Sequence, residues 1–447
     1  MRGTPNHRVL TGWGRTARSA ATVVDGASAE DIARLLANPA MPPVLARGLG
    51  RSYGDAALNA GGLVLRAGAR QPQPVVDVAA RRVTAAAGTP FAVLLARTLP
   101  HGLTLPVLPG TRHVTLGGAI AVDVHGKNHH TAGSIGAWLD EVVLVDGTGV
   151  LRRLAPEVDR EAFWATIGGM GLTGVIVSAT LRLLSVPTSW MWVRTRRLSW
   201  PDLLRAMTDS TAPYHVAWLD LYSHGPDWGR GVLDEGDHAE PEQLPPRAGT
   251  VPLGYHPSRV LSAPPTPVRL VARPIAKAFS DLWWQRAPDD RAAPRSLPAF
   301  FTPLDGLAGW NRLYGPLGFR QYQLVVPLGA ESVLESCARL LSTTTTFLPV
   351  LKRLGPGSGG HLSFPLPGWT LAVDIPAAVP ALARLLDRVD GLVAGAGGRV
   401  YLAKDSRLSR DVLPAMYPRL AEWRAVRDRL DPQARLRSDL GVRLALC

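Results

Sequence analysis

The side chains best suited to chemistry in this chain are its few lysines. The sequence has four lysines against 45 arginines, so arginine stands at most positions where any cation would serve. Three of the four lie in short polar motifs: Lys127 in His-Gly-Lys-Asn-His-His, Lys352 in Leu-Lys-Arg-Leu-Gly-Pro-Gly, and Lys404 in Tyr-Leu-Ala-Lys-Asp-Ser-Arg. A compact ammonium shifts its pKa readily and acts as a point charge, which a guanidinium does not imitate. These three lysines are therefore candidates for catalysis or anion binding, whereas Lys277 is expected to face solvent.

Two glycine-rich segments are suited to holding a phosphorylated cofactor. Arg47-Gly-Leu-Gly-Arg-Ser-Tyr-Gly-Asp follows a strand-like run, and Leu108-Pro-Gly-Thr-Arg-His-Val-Thr-Leu-Gly-Gly lies further along the chain. Closely spaced glycines let the backbone approach a pyrophosphate and point N–H groups at it. Neither segment is the Gly-x-Gly-x-x-Gly that opens a long helix, so the usual dinucleotide fingerprint is absent. Taken alone, each segment could equally be a structural glycine turn.

Composition indicates an ordinary globular protein with room for two domains. The 447 residues are 46% hydrophobic and 19% charged, which is typical of a chain that buries sizeable cores. The two cysteines, Cys337 and Cys447, make neither a disulfide framework nor a metal site, and no metal is expected.

The net charge of +13 comes almost entirely from scattered arginines. Because these are not interleaved with aromatic residues in a patch, nucleic acid is not an expected partner. The basic charge is compatible with a phosphorylated substrate, with an anionic membrane surface or with a generic solvated face.

The N-terminal residues lack the apolar core of a signal peptide, and the uncharged residues 162–181 contain four glycines that favour strand and turn over a membrane span. We therefore expect a soluble protein or one peripheral at the cell membrane, on its cytoplasmic or periplasmic face.

Short β-rich runs alternate with helices through the first part of the chain, which predicts an α+β fold. A helix is expected after Ser28, which is followed by acidic residues, and another after Pro90. Asp146-Gly147 predicts a hairpin turn. Further runs predict strands that begin near Val44, Gly62, Val75, Glu141, Gln321 and Gly397.

The second half of the chain is less regular. Residues 224–300 are rich in proline, glycine and acidic residues with little periodicity, and we predict a long, partly mobile loop or lid there. A helix is expected over residues 379–393, and residues 417–446 are expected to be helical.

The two glycine-rich segments, in this order, resemble the FAD-binding domain of the vanillyl-alcohol-oxidase superfamily. A third matching segment is Phe163-Trp-Ala-Thr-Ile-Gly-Gly-Met-Gly-Leu-Thr-Gly-Val-Ile. The resemblance implies a two-domain α+β flavoprotein. Residues 1–187 would form an FAD-binding domain of the PCMH type. Residues 188–400 would form a substrate-binding domain with an antiparallel sheet, including the mobile segment 224–300, and residues 401–447 would return to the FAD domain.

Five further motifs extend the resemblance over nearly the whole chain, to the decaprenylphosphoryl-ribose oxidases of actinobacteria: His125-Gly-Lys-Asn-His-His, Gln321-Tyr-Gln, Ser363-Phe-Pro-Leu-Pro-Gly-Trp, Tyr401-Leu-Ala-Lys-Asp-Ser-Arg and Met416-Tyr-Pro-Arg. It implies FAD-dependent oxidation of the 2′-hydroxyl of decaprenylphosphoryl-β-D-ribofuranose. The keto product would go to a separate NADH-dependent reductase, which completes an epimerisation that makes the arabinose donor for cell-wall arabinan. An aldonolactone or alditol oxidase acting on a soluble sugar, and a flavin-binding scaffold without turnover, are the alternatives.

The family's cofactor contacts fall on residues of both glycine-rich segments and on two later positions: Ala46, Arg47, Gly48, Leu49, Gly50, Arg51, Ser52, Tyr53, Gly54, Asp55, Ala56, Gly110, Thr115, Leu116, Gly117, Gly118, Val122, Asp123, Val124, His125, Ile176 and Tyr401. Its catalytic positions fall on Lys404, Lys127, Tyr53 and His125. Its substrate-binding positions fall on Gln321, Gln323, Lys352, Trp218 and Ala372.

The resemblance also implies roles for these residues. Lys404 would stand beside the flavin and the substrate oxygen, either as a base or as a fixed positive charge. Lys127 and Lys352 would meet the phosphate or the sugar hydroxyls. Gln321 and Gln323, two apart on a strand, would share one face and present amides to the sugar.

Two positions depart from related proteins. Many oxidases of the superfamily attach FAD through a histidine in a Gly-His-Ser loop, where this chain has Gly50-Arg51-Ser52. A guanidinium forms no such bond, so non-covalent FAD is expected. At Ala372, mycobacterial members of the resembled family carry a cysteine that faces the flavin.

Overall fold

The computed structural model describes residues 6–68, 71–246, 249, 251–255 and 260–447. In the first part of the chain the elements are β1 (Asn6–Thr11), β2 (Arg18–Asp25), α1 (Ala29–Ala37), β3 (Val44–Arg47), β4 (Leu63–Arg66), β5 (Val75–Asp77), β6 (Arg82–Ala86), α2 (Phe91–Thr98), β7 (Leu103–Thr104), α3 (Leu116–Ala121), α4 (His129–Ala132), β8 (Leu139–Val145), β9 (Leu151–Leu154), α5 (Arg160–Thr166), β10 (Val175–Arg182) and β11 (Leu184–Ser185).

These strands form two main sheets. One has the order β1-β2-β4-β3, with β4 parallel to both of its neighbours. The other is antiparallel with the order β5-β6-β10-β8-β9, and β7 pairs with β11 beside it. The loop that follows β3 and the second glycine-rich segment lie side by side and line the same cavity.

Local sequence explains two of the elements. Ser28 caps α1: its Oγ accepts from the Asp31 N–H at 3.1 Å, and the Asp31 carboxylate accepts from the Ser28 N–H at 3.2 Å, which satisfies two exposed helix donors. The buried carboxylate of Asp146 accepts from the Thr148 and Val150 amides and closes the hairpin between β8 and β9. The predicted helix start and hairpin are both confirmed.

The remainder of the chain begins with β12 and ends in three short helices. Its elements are β12 (Trp190–Leu198), α6 (Trp200–Asp209), β13 (Tyr214–Leu219), β14 (Gly231–His238), β15 (Leu261–Ser262), α7 (Arg273–Arg286), β16 (Asp290–Ser296), α8 (Leu297–Phe301), β17 (Leu307–Ala308), β18 (Phe319–Pro327), α9 (Glu331–Ser342), β19 (Phe347–Leu354), β20 (Gly368–Pro376), α10 (Leu382–Gly395), β21 (Arg399–Val400), α11 (Leu413–Met416), α12 (Leu420–Leu430) and α13 (Asp439–Arg443).

Eight of these strands form one antiparallel sheet in the order β16-β12-β14-β13-β19-β20-β18-β21. β20 is buried along its whole length, while α9 and α10 contribute apolar side chains to the same core. The α+β class, with a large antiparallel sheet in the second half, is confirmed. Among the described residues, no helix has the length and apolar character needed to cross a bilayer.

The prediction of an irregular loop over residues 224–300 is wrong for much of that segment. β14 lies in the interior of the large sheet, β16 forms its edge, and α7 spans 14 residues. The sequence of β14 did not look like a buried strand because it contains Asp234 and Glu235, which are buried and pair with Arg295 of β16 and Arg196 of β12. Residues 247, 248, 250 and 256–259 lie outside the described residues, and the predicted mobility of the segment stays a prediction.

Two helix boundaries also differ from expectation. α10 begins at Leu382 rather than at residue 379, because a residue that precedes a proline, as Val379 does before Pro380, is disfavoured in helical conformation. The predicted helical run 417–446 is broken into α12 and α13 by a turn at Asp431, whose carboxylate accepts from the Arg435 and Leu436 amides.

The C-terminal residues pack against the first sheet. The Val44 N–H donates to the Arg435 carbonyl at 2.7 Å, and Leu436 forms a parallel bridge with Val44 at the sheet edge. Arg443 binds Asp55 through two hydrogen bonds of 2.8 Å and also binds Asp405 at 2.8 Å. These contacts support the proposed return of residues 401–447 to the first domain.

We expect Arg443→Met to destabilise the protein, because it leaves Asp55 and Asp405 as buried carboxylates without their cation. The expected loss is about 3 kcal/mol, or roughly 3 °C in the midpoint of thermal unfolding of a chain of this length. The exposed Arg410→Met is the matched control and should change stability by less than about 0.5 kcal/mol. Equal midpoints for the two variants in differential scanning calorimetry would contradict a structural role for this network.

Candidate active site

A cavity of about 630 Å³ opens where the first two sheets meet the face of the eight-stranded sheet. One wall consists of the two glycine-rich segments and the turn around Gly171 to Val177. The opposite wall consists of side chains from β13, β18, β19 and β20, together with Lys404. Both groups of residues singled out in the sequence therefore face a common space.

The first glycine-rich segment packs closely against the second. A Cβ built on Gly48 would lie 2.4 Å from Thr115 Oγ1, so only glycine fits there. Gly50 has a φ of +67°, in the left-handed region that glycine adopts without strain. The Arg47 guanidinium holds this loop by donating to the carbonyls of Ala57 and Thr11, each at 2.7 Å. The loop is thus held in place with its backbone close to the cavity.

Most of the predicted cofactor residues line this cavity: Ala46, Arg47, Gly48, Leu49, Gly50, Arg51, Ser52, Tyr53, Ala56, Gly110, Thr115, Gly117, Gly118, Val122, Val124, His125, Ile176 and Tyr401. His125 also leaves its Nδ1 buried with no protein partner among the described residues. A buried nitrogen in this state is typical of a site completed by a ligand.

Four predicted cofactor residues, Gly54, Asp55, Leu116 and Asp123, lie outside the cavity lining, and their contact with FAD stays a prediction. Asp55 turns away to bind Arg443, and Leu116 is fully buried in the core. Gly54 packs directly against the backbone of Asp405, whose carbonyl oxygen would lie 1.8 Å from a Cβ at position 54. Asp123 is fully buried and accepts hydrogen bonds from serine hydroxyls and a backbone amide. All four support the loops that form the wall.

The three motif lysines all line the cavity. Burial lowers the pKa of Lys127 to about 7 and that of Lys352 to about 8. Burial also lowers the pKa of Lys404, and the positive charge of Lys352 lowers it further. Desolvation of this kind disfavours the ammonium form and makes a lysine amine available near neutral pH.

Lys127 is held by neutral groups. Its Nζ donates to the Phe300 carbonyl and lies 4.1 Å from the centroid of the Phe300 ring. Within the part of the chain that the structure describes, no carboxylate lies within ion-pair distance of Lys127, Lys352 or Lys404. In their ammonium form these lysines are therefore free to bind an anionic ligand. Lys277, in contrast, is exposed and pairs with Asp281 at 2.7 Å, as expected of a surface lysine.

The two glutamines lie on β18 and both line the cavity, since residues two apart on a strand share a face. Gln323 Nε2 lies 2.9 Å from Thr370 Oγ1 and 3.0 Å from His125 Nε2. In the register between β18 and β20, Gln323 is opposite Ala372 and Gln321 is opposite Asp374. The sheet therefore sets all four of these positions at once.

Asp374 is a site residue that the sequence analysis missed. Its side chain is buried, lines the cavity, and accepts from Gln321 Nε2 at 2.6 Å and from the Tyr314 hydroxyl at 3.3 Å. Burial raises the pKa of this carboxyl. The signal was present, because Asp374 stands two residues after Ala372 in a strand and so faces the same side.

The remaining predicted residues also line the cavity. The Lys404 Nζ lies 5.3 Å from the centroid of the Tyr53 ring, and burial raises the pKa of the Tyr53 hydroxyl. Burial lowers the pKa of His125 well below its ordinary value, which favours the neutral imidazole. Trp218 packs against Trp283 of α7 with 6.0 Å between ring centroids. The Ala372 methyl reaches the cavity and leaves space there.

Comparison with known proteins assigns the family. A family model described as an FAD binding domain matches residues 20–155. Decaprenylphosphoryl-beta-D-ribose oxidase of Mycolicibacterium smegmatis is 39% identical, over 98% of this chain and 97% of that protein. The chain belongs to the decaprenylphosphoryl-β-D-ribose oxidase family. It is an FAD-dependent oxidoreductase, as the motifs predicted.

Other relatives are of two kinds. An uncharacterised protein of Streptomyces coelicolor is 40% identical, over 78% of this chain and 97% of that protein. An alditol oxidase of a Streptomyces species is only 28% identical, although the match covers 95% of this chain and 96% of that protein. The alditol oxidase alternative is thus the more distant one.

The cavity fits FAD. The glycines of the loop around Gly48 and the Gly117-Gly118 pair would receive the pyrophosphate, because they leave room for close approach of backbone N–H groups. Arg51 stands where related oxidases have the linking histidine, and its guanidinium lies over the Trp13 ring at 3.9 Å. Arg51 has no nucleophilic nitrogen to form a covalent link at neutral pH.

We therefore expect FAD to be bound but dissociable. Acid precipitation of the purified yellow protein should release the flavin into the supernatant, because only hydrogen bonds and packing would hold it. The measurement is absorbance of the supernatant and the pellet near the flavin maximum. Flavin that remains with the denatured chain, shown by an added mass in intact-mass spectrometry, would be the contrary result.

Proposed function

We propose that this chain oxidises the 2′-hydroxyl of decaprenylphosphoryl-β-D-ribofuranose to a ketone. The observation that carries the proposal is the convergence of Lys127, Lys352 and Lys404 on one cavity, without ion-pair carboxylates among the described residues. Such a cluster of lysines suits a substrate that carries both a phosphate, which ammonium groups bind, and a hydroxyl, whose proton an amine can accept. The name of the M. smegmatis relative supplies the substrate class.

Oxidation of an alcohol removes a proton from the hydroxyl oxygen and a hydride from the carbinol carbon. Each of the two needs its own acceptor. The chemistry that FAD supplies when bound is acceptance of the hydride from the carbinol carbon. We assign Lys404 Nζ as the group that takes the hydroxyl proton, because its lowered pKa provides the free amine near neutral pH. The Gln321 and Gln323 amides would orient the sugar, and Lys127 and Lys352 would hold the phosphate.

Asp374 sets the charge around Lys404. The negative charge of Asp374 raises the pKa of Lys404 and so opposes the effects of burial and of Lys352. Gln321 Nε2 donates to this carboxyl, so one amide connects the sugar side of the cavity to the acid. We propose that Asp374 is a positioning residue that tunes Lys404 and orients Gln321.

The product would pass to a separate NADH-dependent reductase, which inverts the 2′ centre and yields the arabinose donor for cell-wall arabinan. Because the substrate carries a polyprenyl tail, we propose that the enzyme works as a peripheral protein at the membrane.

The test of function is anaerobic reduction of the bound flavin, followed by stopped-flow absorbance. Decaprenylphosphoryl ribose should bleach the flavin at least about 100-fold faster than ribose 5-phosphate or xylitol at equal concentration, because only the first offers all the contacts. Equal rates with xylitol would identify an alditol oxidase. No bleaching by any of the three would indicate a flavin-binding scaffold.

We expect Lys404→Arg to reduce flavin reduction by about 10³-fold while FAD stays bound, because a guanidinium does not take up a proton. In the natural protein the rate should rise as the pH is raised through neutrality, since the base acts as the free amine. It should level off well below the ordinary lysine pKa of 10.5. A rate that falls over that range would instead assign Lys404 as a fixed positive charge.

We expect Asp374→Asn to shift the midpoint of this pH profile to lower pH, because loss of the nearby anion lowers the pKa of Lys404. The amide keeps the size of the side chain and an oxygen for Gln321. Asp390→Asn is the matched control: Asp390 is also buried and also accepts from a tyrosine hydroxyl, that of Tyr322 at 2.6 Å, but does not line the cavity. Identical midpoints in both variants and the natural protein would remove Asp374 from the proposal.

A further inference from the structure

One face of α7 exposes a stripe of large apolar side chains. Ile275, Phe279, Leu282 and Trp283 are 56%, 38%, 44% and 45% exposed, respectively. Their spacing of four, seven and eight residues from Ile275 places them on one side of the helix. We call these four residues the α7 face. Scattered exposed apolar residues are ordinary, but a contiguous group of this kind marks an interaction surface.

The charges around the α7 face are mainly positive. Residues 264–287 contain four basic side chains and one acid, Asp281. That acid is already paired with Lys277 at 2.7 Å and lies 3.8 Å from Arg230. Just before the helix, Val268 and Leu270 are exposed as well and flank the exposed Arg269. A helix with tryptophan, phenylalanine and leucine on one face and basic residues beside them is typical of attachment to a bilayer surface.

The α7 face is continuous with the cavity. Trp283 packs against Trp218, which lines the cavity, with 6.0 Å between ring centroids. Phe279 packs against Phe347 at 5.0 Å, and the next residue, Leu348, also lines the cavity. Aromatic and aliphatic side chains therefore form an unbroken path from the sugar-binding wall to the exposed helix.

We propose that the α7 face docks onto the surface of an anionic lipid bilayer and delivers the polyprenyl tail of the substrate to the cavity. This inference rests on the proposed function for the lipid nature of the substrate. A bilayer fits better than a second copy of the chain, because two chains of net charge +13 repel each other, whereas anionic headgroups attract the basic residues beside the stripe.

The test is co-sedimentation of the FAD-loaded full chain with vesicles of phosphatidylglycerol mixed with phosphatidylcholine, and with vesicles of phosphatidylcholine alone. The double variant Ile275→Gln and Leu282→Gln keeps good helix formers on α7 and removes apolar area. We expect its partition onto the anionic vesicles to fall by on the order of tenfold or more. Leu392→Gln changes an exposed leucine of α10 and should bind as the natural protein does.

A charge variant separates the two contributions. Arg269→Glu with Arg286→Glu should weaken binding to the anionic vesicles and leave the weak binding to phosphatidylcholine unchanged. In the natural protein, about 0.5 M salt should have the same effect. Arg410→Glu, an exposed arginine away from α7, is the control. Unchanged binding in both the apolar and the charge variant would overturn the proposal.

Two readouts keep this proposal distinct from the proposed function. The apolar variant should lose rate with vesicle-embedded substrate but reduce its flavin normally with a short-chain, water-soluble prenylphosphoryl ribose. If the natural protein binds anionic vesicles through α7 but no prenylphosphoryl ribose reduces the flavin, the docking surface stands and the proposed function fails. If the natural chain is a dimer in analytical ultracentrifugation and the apolar variant a monomer, the face is a self-association surface and the membrane proposal is wrong.

Discussion

Burial of three ammonium groups around one cavity is the constraint on which the rest of the structure depends. Removal of each such charge from water costs several kcal/mol, and their mutual repulsion adds to that cost. Arg443, by comparison, is neutralised by Asp55 and Asp405. Lys127, Lys352 and Lys404 have no carboxylate at ion-pair distance among the described residues; neutral partners such as the Phe300 carbonyl, lowered pKa values and the more distant charges of Asp234 and Asp374 make their burial tolerable. The large apolar sheet must supply the stability that this arrangement costs.

The unfavourable free energy of the buried lysine charges favours binding of an anion in the cavity. A phosphate or a developing alkoxide brings the negative charge that the lysines lack, so ligand binding relieves repulsion that the free protein carries. Asp374 moderates this effect beside Lys404 without neutralising the cluster, since its own carboxyl is buried and its pKa is raised. The family relationship and the electrostatics thus lead to the same class of substrate by independent routes.

The glycine-rich segments and the three lysines, which share one cavity, could be singled out from the sequence because both depend on short local patterns. Gly48 has no room for a side chain beside Thr115, Gly50 has a positive φ that favours glycine, and the lysines stood out against an arginine-rich background. Prediction from the sequence failed where tertiary pairing decides the outcome. β14 looked irregular because its buried acids pair with arginines of β12 and β16, and the hydrogen bonds by which Asp55 and Asp123 hold loops together were not predicted. Asp374 was missed although it stands two residues after Ala372 and so shares its face of the strand, because its burial follows from the packing of the sheet and not from the local sequence.

The register between β18 and β20 limits how the substrate wall can vary among relatives. Gln321 lies opposite Asp374 and Gln323 opposite Ala372, and all four side chains reach the cavity through the two-residue alternation of the pleat. Insertion or deletion of one residue within either strand would turn every following side chain to the other face of the sheet. Substitution is therefore the route open to these strands in evolution, and changes in chain length must occur in the connections outside them.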